Sequence, residues 1–189
     1  MHPAERMCAE YFEGIFKPLI DAQVTFWVAG GAIRSWFETR TVKSDIDVWF
    51  PSEMEWHKAK LIAGKVWVPT KETNASANYS AGGKYWVQLV RKHYFKDPES
   101  TIAEFDFTVA CAATDCRDCF FHEHFFIDLC MKRLAFNKIP YPLSTWRRCQ
   151  KYIARGFVLC PDEELKLLEA MKAELADTTI EQANTRYME

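Results

Sequence analysis

The chain has 189 residues, 49% hydrophobic and 15% aromatic, enough for one ordinary core with a small appendix. Its net charge of -2 excludes a broadly basic surface of the kind that holds nucleic acid regardless of sequence, and no apolar run reaches the ~18 residues of a membrane span. Seven scattered cysteines, with no signal-like N-terminus, read as reduced core thiols of a cytoplasmic protein.

Apolar residues at helical spacing over residues 3–21 (Met7, Tyr11, Ile15, Leu19) predict an amphipathic helix. Val24, Phe26 and Val28 alternate as a strand that runs into Gly30 and Gly31, and a short helix is expected over 32–38. The following strand places Asp45 and Asp47 on one face and turns Ile46, Val48 and Phe50 toward a core. Two neighbouring carboxylates on an open face repel each other, and a divalent cation, Mg2+ or Mn2+, is the natural compensation. Glycines at a strand-to-helix turn let the backbone approach a ligand, and the helix amides then face an anion.

Ser52 and Glu55 form a capping box that opens a helix to about residue 63, closed by Gly64, and KVWVPT then reads as a strand. Polar residues 71–83 read as a turn or mobile loop, and residues 84–92 as the next strand. In FDFTVACAA, Asp106 and Thr108 share a face if the segment is extended, which makes Asp106 either a metal ligand or a cap. Cys116, Cys119, His122 and His124 are ligand types that zinc accepts. They are closer set than in structural zinc modules and interleaved with Phe120 and Phe121, so no zinc is expected. Ser144 is expected to cap a helix over 145–155 with Trp146, Cys149 and Ile153 as its apolar stripe. Its other face carries Arg147, Arg148, Lys151 and Arg155, a cluster suited to acceptor phosphates. Residues 162–176 read as a last amphipathic helix packing through Leu165, Leu168, Met171 and Leu175, followed by a frayed end.

GGAIR followed by SDIDVWF resembles the polymerase-beta-like nucleotidyltransferase superfamily, and within it the catalytic head of tRNA CCA-adding enzymes and bacterial poly(A) polymerases. GGAIR matches the family's GGxxR and SDIDVWF its Asp-x-Asp strand, while FDFTVACAA resembles its RRDFTxNA motif without the arginine pair. HEHFFIDLCMKRLAF, with Asp128, Leu129, Arg133 and Leu134, has the shape of a further family segment. The resemblance spans residues 24–136 and implies an α+β nucleotidyltransferase fold, a mixed central sheet flanked by helices with a C-terminal helical appendix. The core is expected over 1–137 and the helical extension over 138–189. It also implies metal-dependent transfer of a nucleoside monophosphate from a nucleoside triphosphate to a hydroxyl acceptor. Asp45, Asp47 and Asp106 would then hold the metal, with contact to a ribose hydroxyl as the alternative role for Asp106, and Gly30, Gly31 and Arg34 would hold the nucleotide phosphates. Trp86 and Gln88 stand where the family's strand can supply a third carboxylate. The acceptor stays open among an RNA or tRNA end, a small molecule and a protein, and specific CCA addition is not expected. Two other readings also stand: a catalytically inactive nucleotide- or RNA-binding module on the same fold, and a zinc-dependent nucleic-acid-binding protein.

Overall fold

The structure is a computed structural model that describes residues 3–177. The chain forms two compact units: Met1–Ala103 with Ala110–His122, and Glu104–Val109 with Glu123–Glu189. It therefore passes between units at three points, where a single division near residue 137 was expected.

The first unit contains strands β1 (Trp27–Ala29), β2 (Ile46–Trp49), β3 (Val68–Glu72), β4 (Ser76–Ala81), β5 (Tyr85–Val90), β6 (Ala112–Thr114) and β7 (Cys119–Phe121). They form one seven-stranded sheet in the order β3-β4-β5-β2-β1-β6-β7, with β2 and β5 parallel and the other neighbours antiparallel. Along β2 the side chains alternate between buried (Ile46, Val48) and half-buried (Asp47, Trp49), as a strand with one covered face requires. The same unit holds helices α1 (Pro3–Asp21), α2 (Gly31–Thr39), α3 (Glu53–Val66) and α4 (Pro98–Ile102). The core contains Phe12, Phe16 and Leu19 of α1 and Trp56, Ala59 and Ala63 of α3.

Three expectations shift here. α1 buries Cys8, Phe12 and Phe16 instead of the Tyr11 and Ile15 stripe, because two phenyl rings remove more apolar surface from water than a tyrosine whose hydroxyl must stay bonded, here to Tyr85 at 3.0 Å. α3 continues through Gly64 to Val66, since an internal glycine costs a helix only about 1 kcal/mol. Residues 71–83 contain β4, whose inward positions Ala77, Tyr79 and Ala81 are buried among polar neighbours.

The second unit contains α5 (Phe125–Cys130), α6 (Pro142–Ile153), α7 (Pro161–Asp177) and the parallel pair β8 (Arg133–Leu134) and β9 (Val158–Leu159). α6 starts at Pro142, whose fixed φ suits a first helical position, so Ser144 lies inside the first turn and is not the cap. Its buried side is Pro142, Thr145, Cys149 and Tyr152, while Trp146 and Ile153 are exposed. The Tyr152 ring lies 4.9 Å from Phe107 and 5.3 Å from Phe157, and that aromatic cluster sets the helix rotation. α7 buries Leu167 and leaves Leu165, Leu168 and Leu175 exposed. Two polar anchors hold that rotation: Glu163 accepts the Phe136 N–H at 2.8 Å and Glu174 the Leu143 N–H at 3.2 Å. The expected frayed end lies outside the described residues, apart from residue 177. Among the described residues no helix is long and apolar enough to cross a membrane.

Candidate active site

β2 and its neighbours create the acidic site. Strand register sets Asp47 beside Ala29 of β1 on one side and Gln88 of β5 on the other. Asp45 precedes the strand and is exposed, close enough for its charge to act on Asp47. Burial, and then the charge of Asp45, push the Asp47 carboxyl up to about 7. A group so placed is destabilised as an anion until a cation arrives, and two oxygen-bearing carboxylates fit a hard divalent ion. Gln88, in register with Asp47, offers an amide where a third carboxylate would complete an all-acid set, and its Nε2 donates to Ser76 Oγ at 2.7 Å.

The second part of the site follows β1 directly. Gly30 adopts φ 89° and ψ -136°, a conformation closed in practice to residues with a Cβ, and that single residue turns β1 into α2, which begins at Gly31. No side chain caps the start of α2, and its first amides stand beside the strand that carries the carboxylates. A Cβ on Gly31 would lie 3.6 Å from Ser44 Oγ, which is itself buried without a hydrogen-bond partner. Ser44 was missed in the sequence, although its position directly before Asp45 was a usable signal. Arg34 is buried and ion-paired with Glu38 one turn on, so its guanidinium serves the helix first.

Asp106 belongs to the second unit, where Phe105 and Asp106 are irregular and Thr108 starts a 3-10 turn; the extended geometry expected of them is absent. Its carboxylate is 7% exposed, accepts Arg148 Nε at 2.6 Å and accepts the Thr145 hydroxyl at 3.3 Å. Burial raises its pKa, and the Arg148 charge opposes that rise. Arg148 is therefore turned to Asp106 and separated in role from Arg147 and Lys151, exposed along α6, and from Arg155, exposed just past its end. Arg155 lies over the Tyr152 ring at 5.9 Å. Asp128, fully buried, accepts Arg133 Nε at 2.6 Å and the Thr108 hydroxyl at 2.6 Å, so the Asp-Leu and Arg-x-Leu residues brace the second unit. Cys116 lies in the β6–β7 turn and Cys119 opens β7, where its thiol donates to the Glu5 carbonyl at 3.1 Å. Among the described residues no group of three or more His, Cys, Asp or Glu could hold a metal ion.

A mixed sheet with an Asp-x-Asp strand beside a glycine-opened helix defines the nucleotidyltransferase fold of polymerase-beta type. Solved structures agree in fold. The Thermotoga maritima CCA-adding enzyme complexed with tRNA matches at a TM-score of 0.63 and 16% identity, over 92% of this chain and 43% of that one. The Bacillus stearothermophilus CCA-adding enzyme in complex with CTP matches at 0.60 and 17%, over 98% and 48%. The chain belongs to the Gabija anti-defense 2 family, whose model matches residues 4–132. A protein of Bacillus phage SPbetaL7 called Gabija anti-defense 2 is 28% identical in an alignment of 147 residues that covers 75% of this chain and 36% of that protein. The chain spans less than half the length of these relatives.

Proposed function

We propose that the protein is a metal-dependent nucleotidyltransferase, moving a nucleoside monophosphate from a nucleoside triphosphate to a hydroxyl acceptor, in an anti-defence role of the kind its phage relative's name states. The observation that carries this is the nearness of Asp45 to the half-buried Asp47, directly beside the Gly30 turn and the uncapped start of α2. Carboxylates there hold cations, and helix amides next to them hold phosphate oxygens. Magnesium or manganese held by Asp45 and Asp47 would lower the acceptor hydroxyl's pKa and neutralise the departing pyrophosphate. Gly30 and Gly31 bring the α2 amides to the β- and γ-phosphates, Ser44 Oγ adds a donor there, and Arg34 holds α2 in place through Glu38. The acceptor oxygen bonds to the α-phosphorus, the bond to the bridging oxygen breaks, pyrophosphate leaves with that electron pair, and the hydroxyl proton passes to solvent. Asp106, held by Arg148 and Thr145, is assigned to positioning α6 and not to metal binding.

Gln88 supports a second reading, a nucleotide-binding module without transfer, because the residue in register with Asp47 is an amide. The test is incubation of the full chain with magnesium and each α-labelled nucleoside triphosphate, offered total RNA, single-stranded DNA and protein. Label transferred by the wild type and abolished by both Asp45→Asn and Asp47→Asn, with unchanged circular dichroism, supports transfer. Triphosphate binding that depends on Asp47 without any labelled product supports the binding module, and equal labelling by the variants overturns the acidic site.

A further inference from the structure

The face of the sheet that carries Asp47 continues, by strand register alone, through Gln88 of β5 and Asn78 of β4 to Lys71 of β3. Three strand steps of about 4.8 Å put Lys71 on the order of 14 Å from Asp47 along this row. Trp86 lies two residues before Gln88 on β5 and so stands on the same face, with its indole 56% exposed. Burying a tryptophan is among the strongest stabilising changes available to a chain, so one left open beside a polar row is an unused stacking surface.

Chemistry at the carboxylates decides what reaches this row. In-line displacement requires the attacking and leaving oxygens to lie on opposite sides of the phosphorus. The start of α2 lies on the β1 side of Asp47, so pyrophosphate held there leaves toward β1 and the acceptor hydroxyl approaches from the β5 side. The β5 side offers an indole, two amides and one lysine, with Gln88 oriented by its bond to Ser76. Flat stacking, amide edges and a single cation further along suit nucleobases joined by phosphates. A strand from a second copy is disfavoured because edge strand β3 carries Pro69, a register shift between Pro69 and Lys71, and Lys71 itself.

We propose that the β5–β4–β3 face is the acceptor platform for the end of a single-stranded nucleic acid, with Trp86 stacking a base next to the carboxylates and Lys71 meeting a phosphate a few nucleotides away. This rests on the nucleotidyl-transfer reading above, but the binding it asserts is measured without transfer. Fluorescein-labelled single-stranded RNA and DNA oligonucleotides of one sequence, and the matching duplex, are titrated with the full chain in EDTA and followed by anisotropy. The single strands bind better than the duplex, and an RNA preference or its absence identifies the sugar. Trp86→Ala weakens binding about tenfold, Trp86→Phe restores most of it, and Lys71→Ala lowers the slope of log affinity against log salt by about one. Melting temperatures of these exposed variants match the wild type. Binding unchanged in Trp86→Ala, or preference for the duplex, overturns the platform, and transfer lost in Asp45→Asn still leaves the active-site reading standing in that case. Trp86-dependent binding in a protein that transfers no nucleotide does the reverse.

Discussion

Asp47→Asn should make the metal-free protein more stable at neutral pH. An aspartate with an ordinary value of 3.8 is pushed up to about 7 in the folded chain, first by burial and then by Asp45. Because the folded state holds the proton to higher pH than the unfolded state, stability falls as pH rises across that interval and reaches its full loss above about 7. A shift of three units at 1.36 kcal/mol each sets a ceiling of roughly 4 kcal/mol, and partial exposure of the side chain brings the expected effect to about 2–3 kcal/mol. For a chain of this size that is roughly 5–10 °C in Tm. Thermal melts by circular dichroism in EDTA at pH 5 and pH 8 measure it. The wild type should lose stability relative to Asp47→Asn between those values, and added magnesium should recover the wild type at pH 8 while leaving the variant where it was. A variant that tracks the wild type at both pH values, with and without magnesium, would refute the argument that Asp47 is a strained anion awaiting a cation.

Gly30→Ala should cost about 1–3 kcal/mol because of its φ of 89° and should also weaken triphosphate binding, whereas Gly31→Ala, meeting only Ser44 Oγ at 3.6 Å, should leave stability within about 0.5 kcal/mol of the wild type; urea titrations of the pair discriminate them. Arg148→Ala should lower stability by about 2 kcal/mol, since it strips a buried carboxylate of its cation, while Lys151→Ala on the exposed side should change Tm by under about 2 °C.

What the sequence disclosed depended on how local each signal was. The alternation of β2 and the turn at Gly30 were legible because strand parity and a glycine turn act over two or three residues. β4 was hidden because its buried positions are a serine, two alanines and a tyrosine, a pattern whose apolar content comes from Ala77, Tyr79 and Ala81 alone. The rotations of α6 and α7 were misjudged because they are fixed by distant partners, Phe107 and Phe157 for one and the N–H groups of Phe136 and Leu143 for the other. Arg148 looked like one cation of a solvated row, and only the fold brings Asp106, 42 residues earlier in the chain, to its Nε.

The interleaving of the two units bears on how this protein is divided for expression or recombined by exchange. A cut after residue 122 would keep residues 104–109 with the sheet and strand them from the segment that begins at residue 123. Asp106 would be parted from Arg148, and Phe107 from its bridge to Phe136. A cut at residue 132, where the family match ends, would keep Asp128 and discard Arg133, leaving a carboxylate shaped for burial with no counter-charge. The region shared with the family is therefore not a portable module: its hidden acids are neutralised by chain that follows it, and any fragment drawn at either border inherits charges it has no means to cover.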